Sequence, residues 1–590
     1  MCGICGEIRT DGGTPDLAAM ARMVAALVRR GPDAGGVLAQ GAAALGHRRL
    51  KIIDTSEMSS QPMVDPELGL AIVFNGAIYN YRELRTELEG KGYRFFSSGD
   101  TEVLIKAYHA WGTRFVERLN GMFAFAIRER DSGRVVLARD RLGIKPLYLA
   151  RAPNRLRFAS TLPALLAAGE VDTSINPRAL NFYMTFHAVV PAPDTILTGV
   201  EKLPPATVMT VEADGTARQE KFWALAFGPH PEERVYDADD WEEAVFDGLR
   251  RAVKRRLVAD VPVGALLSGG LDSSLIVALL AEAGAHLRTF SIGFDSVDAE
   301  RGDEFQYSDA IVQRFGTDHT RMKVDTARVL PALDGCIAAM SEPMMSHDAV
   351  AFYLLSEEVS RHVKVVQSGQ GADEVFAGYH WYPPLARSND PATDYARVFF
   401  DRDHAGYRDA VAPAYRDGDA AGEFVARHFD TPGADDPVDK ALRLDATVML
   451  VDDPVKRVDN MTMAFGLEAR VPFLDHELVE LAARIPVDLK IAEGGKGILK
   501  RGARRILPNE VIDRPKGYFP VPALKYLRGP YFEMVGDLLS PDAVRRRGLF
   551  APGYVARALN APDEHISPLN GSHLWQMAVL EKWLQEHGIP

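Results

Sequence analysis

Val261-Pro262-Val263-Gly264-Ala265-Leu266-Leu267 runs straight into Ser268-Gly269-Gly270-Leu271-Asp272-Ser273-Ser274. An apolar run of this length bounded by a glycine turn reads as a buried strand, and the apolar-rich segment Ser273–Ala283 behind it reads as a helix. A strand that turns through Ser-Gly-Gly into a helix is built to hold an anion. The glycines let backbone N–H groups approach closely, the serine hydroxyls add donors, and the helix N-terminus favours negative charge. Asp272 would repel a phosphate held there unless Mg²⁺ lay between them. A plain βα turn with a serine cap is the bland alternative, but it does not call for the whole string. No GxxxxGK[ST] is present, so the loop is not a P-loop.

Outward from this loop the alternation continues. Trp241–Val258 reads as a helix, Arg288–Phe294 as a strand, Glu304–Phe315 as a helix, and Thr320–Val324 and Val363–Ser368 as strands. Strands alternating with helices predict a parallel sheet covered on both faces. Beyond residue 390 the pattern is mostly helical. Upstream, residues 1–210 read as strands and hairpins, with Leu70–Asn75, Met122–Arg128, Val135–Arg139, Thr207–Val211 and Ala217–Phe222 as strands and Thr101–Arg118 as a helix. The turns Asp131-Ser132-Gly133 and Ala213-Asp214-Gly215 are hairpin signals. A strand-rich half with grouped helices predicts α+β layers. The Pro-, Asp- and Glu-rich stretch 224–240 separates the halves. The expected division is 2–215, a linker 216–240, and 241–590, two large units where 590 residues would allow about four.

The net charge of −13 repels phosphate backbones and anionic lipid, so neither nucleic acid nor membrane is an expected partner. No stretch approaches a span of about 18 uninterrupted apolar residues, and no basic, apolar leader opens the chain. Three cysteines, Cys2, Cys5 and Cys336, make no disulfide framework, and Cys2-Gly3-Ile4-Cys5 lacks the second pair of ligands a structural zinc needs. The expected location is the cytoplasm.

Cys2 would become the first residue on removal of Met1, which its small side chain favours. Thiol and α-amine would then share one residue, and the amine, with an ordinary pKa near ~8, could activate the thiol for acyl transfer. A buried structural cysteine is the commoner case. A thiol attacking an amide also needs donors for the oxyanion, and Asn75-Gly76 at the end of a strand can supply a side-chain amide and a backbone N–H. Arg49 and Asp100 have the charges that would match an amino acid's carboxylate and ammonium.

Met1-Cys2-Gly3-Ile4, Arg30-Gly31-Pro32-Asp33, His47-Arg48-Arg49-Leu50, Phe74 to Asn80 and Gly99-Asp100-Thr101-Glu102 together resemble the class II glutamine amidotransferase domain, an N-terminal-nucleophile hydrolase. The Ser268–Ser274 loop resembles the pyrophosphate loop of ATP pyrophosphatases. The two in one chain, with Leu467–Asp475 and Arg514-Pro515-Lys516-Gly517, resemble the asparagine synthetase family over essentially the whole length. The resemblance implies a four-layer α+β sandwich followed by an α/β ATP-pyrophosphatase domain with a helical C-terminal part. It implies Cys2 as nucleophile, Asn75 and Gly76 as oxyanion hole, and Arg49, Leu50, Ile53, Ala77 and Asp100 around glutamine. It implies ATP at Leu267, Ser268, Gly269, Gly270, Leu271, Asp272, Ser273, Ile292, Ser368 and Gly369, and Mg²⁺ on Asp272 and Asp373. Lys516 would sit on the phosphates and Arg457 on the acceptor side. Glutamine, ATP and an acceptor carboxylate are the expected small-molecule partners, with a homodimer as the expected oligomer.

Two positions depart from the family pattern. Ala77 stands where glutamate is frequent. Gln370, in Ser368-Gly369-Gln370-Gly371-Ala372-Asp373-Glu374, stands where a carboxylate is thought to take a proton from attacking ammonia, and an amide cannot do that near neutral pH. Gln370 with the aromatic run Ala377-Gly378-Tyr379-His380-Trp381-Tyr382 is similar to the N-acetylglutaminylglutamine amide synthases, a branch of the family that amidates a blocked dipeptide. The run reads either as a packed loop or as a wide acceptor pocket. The acceptor expected is peptide-like, with aspartate as the alternative. A glutaminase-derived, non-catalytic regulator is the alternative of another class.

Overall fold

The computed structural model describes residues 2–284, 287–294, 303–515 and 527–590. The N-terminal half contains two six-stranded antiparallel sheets. The first comprises β1 (Gly3–Arg9), β2 (Ala34–Gln40), β3 (Ala43–Arg49), β8 (Tyr148–Ala152), β9 (Arg155–Ala159) and β10 (Glu201–Lys202). The second comprises β4 (Met63–Asp65), β5 (Leu70–Ile78), β6 (Gly121–Glu129), β7 (Val135–Arg139), β11 (Thr207–Val211) and β12 (Ala217–Lys221). Strand alternation explains the stacking. On β5, Ala71 and Val73 meet Ile4, Ile8 and Leu45 of the first sheet, while Leu70, Ile72 and Phe74 face the helices Tyr81–Gly90 and Asp100–Trp111. The helices Leu17–Ala26 and Leu162–Ala168 cover the first sheet, giving four layers.

The C-terminal half is built on a five-stranded parallel sheet in the order β15-β14-β13-β16-β17. Its strands are β13 (Val263–Leu266), β14 (Arg288–Phe294), β15 (Asp318–Val324), β16 (Val365–Gln367) and β17 (Glu468–Arg470). Helices follow in the rest of the chain to residue 590, among the described residues, apart from β17.

Several expectations need correction. The second strand of the last N-terminal hairpin, β12, pairs with β11 through Lys221, so the first unit does not end at 215. The helix Ala238–Arg255 already begins within the expected linker, capped by Asp237, whose carboxylate accepts from the N–H of Asp239 and Asp240. The helix expected over Thr101–Arg118 stops at Trp111, because Gly112 adopts φ 61°, and a 3₁₀ segment continues to Arg118. β17 escaped the sequence reading, since three residues are too short to show a period.

The halves are joined by shared cores. Leu50, Ile52, Tyr79 and Met122 pack with Leu450, Val471 and Phe473, and Met20 and Phe182 belong to the same cluster as Trp583. A buried charge cluster reinforces the join. Lys202 Nζ lies 2.6 Å from Asp452 and 3.0 Å from Glu342, with Lys456 behind them at 3.9 and 3.8 Å.

Candidate functional site

Cys2 begins the chain's entry into β1 and is buried against the end of β5. Its backbone N–H donates to Asn75 Oδ1 at 3.0 Å. This contact leaves Nδ2 of Asn75, fully buried, without a partner among the described residues, an unspent donor on a side chain that touches Cys2. Gly76 follows with no room for a side chain, since a Cβ there would lie 2.1 Å from the Met122 carbonyl. Burial pushes the Cys2 thiol up, opposed by the Leu50 N–H and the Arg49 charge.

A cavity opens beside Cys2, with Arg49, Leu50, Ile53, Gly76, Ala77 and Asp100 in its walls. The expected residues are therefore brought together. Arg49 is braced by the carbonyls of Ser56, at 2.7 Å, and Asp54. Asp100 stands in the first turn of its helix and accepts from the Ile78 N–H at 3.0 Å, and burial pushes its carboxyl up to about 6. Two further lining residues, Glu468 and Arg470, come from β17 in the other half of the chain. Their only sequence signal was membership of the Leu467–Asp475 match.

The second site lies at the C-terminal ends of β13 and β16. Gly269 adopts φ 77°, and its Cα packs so tightly that a Cβ would sit 2.6 Å from the Ser308 nitrogen. The loop is braced internally, with Ser268 Oγ 3.1 Å from Ser273 Oγ and accepting from the Gly270 N–H at 3.3 Å. The helix Leu271–Glu282 starts here, capped at Gly270 without a side-chain acceptor. Leu267 is tied to β14 by its N–H to the Phe290 carbonyl, at 2.8 Å, and by its carbonyl to the Ser291 hydroxyl. Ile292 lies on the same strand. Gly369 abuts the loop, a Cβ on it lying 2.9 Å from the Ser273 nitrogen, so Ser368 and Gly369 form the facing wall.

Asp272 and Asp373 converge on one cation. Lys496 Nζ lies 2.6 Å from Asp272 Oδ2 and 2.9 Å from Asp373 Oδ1. Burial works against the lysine's charge, but the two carboxylates outweigh it and hold its pKa above the ordinary value. Lys496 sits at φ 56°, and Gly378 makes space for its stem, since a Cβ there would be 2.3 Å from Lys496 Cε. Two carboxylates that share a cation in this way suit Mg²⁺. Nothing in the sequence marked Lys496. Lys516 lies outside the described residues, but Arg514 of the same match pairs with Glu304 at 3.1 Å beside Gly270.

On the acceptor side, Arg457 donates to Ser346 Oγ at 2.8 Å and Asp453 Oδ1 at 3.0 Å. It follows a π-helical stretch, Val451–Val455, with Pro454 inside, an irregularity frequent at functional sites. Asp348 lies nearby, half-buried, and its partial burial pushes its carboxyl up to about 6. Glu374 accepts from the Tyr379 hydroxyl at 2.6 Å, and burial and then the Asp373 charge raise it. Gln370 is half-buried in the loop that follows β16. Half of the aromatic run proves to be packing. Trp381 and Tyr382 are buried on Asp445, at 3.4 and 2.5 Å, while Tyr379 stacks on Trp381 at 4.2 Å and His380 is exposed. Of the two readings of the run, the packed loop holds for Trp381 and Tyr382.

Comparison with known proteins places both halves. Residues 1–223 match the glutamine amidotransferase domain and residues 244–585 match asparagine synthase. The glutamine-hydrolysing asparagine synthetase 1 of Bacillus subtilis is 31% identical, over 94% of this chain and 92% of that protein. A putative asparagine synthetase of Mycobacterium bovis is 32% identical over 100% of this chain and 98% of that protein. The chain belongs to the asparagine synthetase family. As a member it is a glutamine-dependent, ATP-driven carbon–nitrogen ligase. The family also reaches proteins with other names, such as amidase chry2 of Gibberella zeae, 25% identical over 93% of each chain. Among the described residues no helix is long and apolar enough to cross a membrane.

Proposed function

We propose that this chain amidates a peptide-like carboxylate, such as that of N-acetylglutaminylglutamine, with ammonia taken from glutamine. The observation that carries the acceptor is Gln370, an amide where the family pattern has a carboxylate, in the loop that faces Asp272 and Ser273. A second reading, aspartate as acceptor, is favoured by Arg457 beside Asp453 and Asp348, charges that suit both ends of a free amino acid.

In the proposed reaction the Cys2 thiol attacks the amide carbon of glutamine. Its proton passes to the α-amine exposed by removal of Met1 and on to the departing ammonia. Asn75 Nδ2 and the Gly76 N–H receive the oxyanion, and water then cleaves the thioester to give glutamate. At the second site an oxygen of the acceptor carboxylate attacks the α-phosphorus of ATP and pyrophosphate leaves. Ammonia attacks the acyl carbon, AMP leaves with the bond electrons, and the proton that the nitrogen sheds goes to the departing phosphate or to water. Asp272 and Asp373 would hold Mg²⁺, which screens the phosphate charge when bound. Lys496, displaced from the two carboxylates, would be free to turn to the phosphates. Lys516 keeps the phosphate role the family resemblance gives it.

The test offers aspartate and N-acetylated dipeptides separately, with ATP, Mg²⁺ and glutamine, and follows AMP, pyrophosphate and amide. Dipeptide turnover is expected to exceed that of aspartate, and the reverse order would sink the peptide reading. In the same assay Cys2→Ala should abolish glutamine use and spare synthesis from added ammonia.

A further inference from the structure

The cavity beside Cys2 has a wall that does not belong to the N-terminal half. β17 is the edge strand of the parallel sheet, and it points two charged side chains into a pocket otherwise built from β5 and the loops around it. Both are fully enclosed, Glu468 at 1% and Arg470 at 0% exposure. Buried charge is costly unless it has a task or a partner. Arg470 Nε donates to Glu468 Oε1 at 2.5 Å, and its Nη1 donates to the carbonyls of Arg256 and Val258 at 2.8 and 2.7 Å. Among the described residues its Nη2 has no partner.

Among the described residues, the charged side chains that line the cavity are two cations, Arg49 and Arg470, and two carboxylates, Asp100 and Glu468. They form a balanced set, suited to a zwitterion rather than to a simple anion or cation. The two carboxylates are not equivalent. Asp100 accepts from a backbone N–H and is raised by its burial. Burial alone would raise Glu468 too, but the chain's own terminal ammonium first, and then Arg470 and Lys145, hold it down to about 2. Glu468 is therefore held toward its ionised form, whereas burial leaves Asp100 raised. Its field reaches both Cys2 and Asp100. Ala77, also in the wall, offers no charge of its own.

We infer that Glu468 is a glutamine-binding residue lent by the synthetase half, taking the substrate's α-ammonium together with Asp100. Arg470 is its positioning residue, fixing the carboxylate and turning Nη2 toward the substrate. The inference rests on the glutaminase reading of Cys2. It adds that the amino-acid specificity of that site is written partly in a strand of the other domain.

The test uses the full-length enzyme and two donors, L-glutamine and its analogue lacking the α-amine, 4-carbamoylbutanoate. Glu468→Gln should raise KM for glutamine by about tenfold or more, as expected for losing a buried charge contact made equally in ground and transition states, with kcat changed little. The preference for glutamine over the deamino analogue should fall by the same factor, and synthesis from added ammonia should be unchanged. Glu468→Asp, which keeps the charge, should recover part of that preference. A purely structural role would lower ammonia-dependent synthesis too and leave the donor preference intact. That result, or an unchanged glutamine KM in Glu468→Gln, overturns the inference. Glutamine use that survives in Cys2→Ala would instead remove the glutaminase reading beneath it.

Discussion

Asn75 shows how the two ends of one side chain can be divided. Its Oδ1 accepts from the Cys2 N–H and its buried Nδ2 has no partner among the described residues, which in the proposed reaction would leave it for the oxyanion. This division was legible in part. Asn-Gly at a strand end pointed to two donors, but nothing in the sequence could place Oδ1 on the Cys2 nitrogen, 73 residues away. Asp100 was legible as a charge and illegible as an acid, because its pKa is set by burial, which depends on what packs around it. That burial gives a pH prediction. An ammonium is held by the ionised form, and Asp100 ionises as the pH rises through about 6. The glutamine KM should therefore fall across that interval, and Asp100→Asn should flatten this limb, measured as kcat/KM for glutamine against pH. A limb that persists in Asp100→Asn would assign the titration elsewhere.

At the scale of elements, the Ser268–Ser274 loop was the easiest to read, because strand, turn and helix each carry a local signal and all three agree. The loop depends on Gly269 more than on any side chain. A methyl group there meets the Ser308 nitrogen at 2.6 Å on a backbone already at φ 77°. Gly269→Ala should cost about 1–3 kcal/mol of local strain and distort the anion nest. ATP-dependent pyrophosphate exchange should fall sharply while glutamine hydrolysis continues, and normal exchange would refute the assignment. The elements that were misread failed for definite reasons. The helix expected to run to Arg118 was extended through apolar spacing that a 3₁₀ segment shares over so few residues, past a glycine in the left-handed region. Trp381 and Tyr382 stayed open between pocket lining and packed loop, because aromatic side chains serve equally as binding surface and as core. Asp445, whose carboxylate collects their polar atoms, decides the matter and lies more than sixty positions on. Lys496 gave no signal because a lysine in a glycine-rich turn is ordinarily solvated.

For the molecule as a whole, the two-unit division was visible in the change of strand rhythm, but the join was not. Contacts between distant segments leave no local period. The buried cluster of Lys202, Glu342, Asp452 and Lys456 is the sharpest test of that join. Lys202→Met would leave Glu342 and Asp452 facing each other with Lys456 as their nearest cation, at 3.8 and 3.9 Å. Removing one partner from a buried ionic cluster costs about 3–5 kcal/mol, so the midpoint of urea unfolding should drop markedly. A midpoint within error of the parent would show that the cluster does not hold the halves together. β17 has a different meaning at this scale. Its backbone takes a hydrogen bond from the Ser368 N–H, at the Arg470 carbonyl, 2.8 Å away, in the wall facing the phosphate loop, while its side chains enter the cavity beside Cys2. Three residues thus touch both candidate sites. A lineage that split this gene between residues 221 and 238 would have to keep both products docked or lose one side of the donor pocket. Swapping in a foreign synthetase half would meet the same obstacle unless the newcomer brought an equivalent edge strand. Modular as the chain looks, its halves are not interchangeable parts.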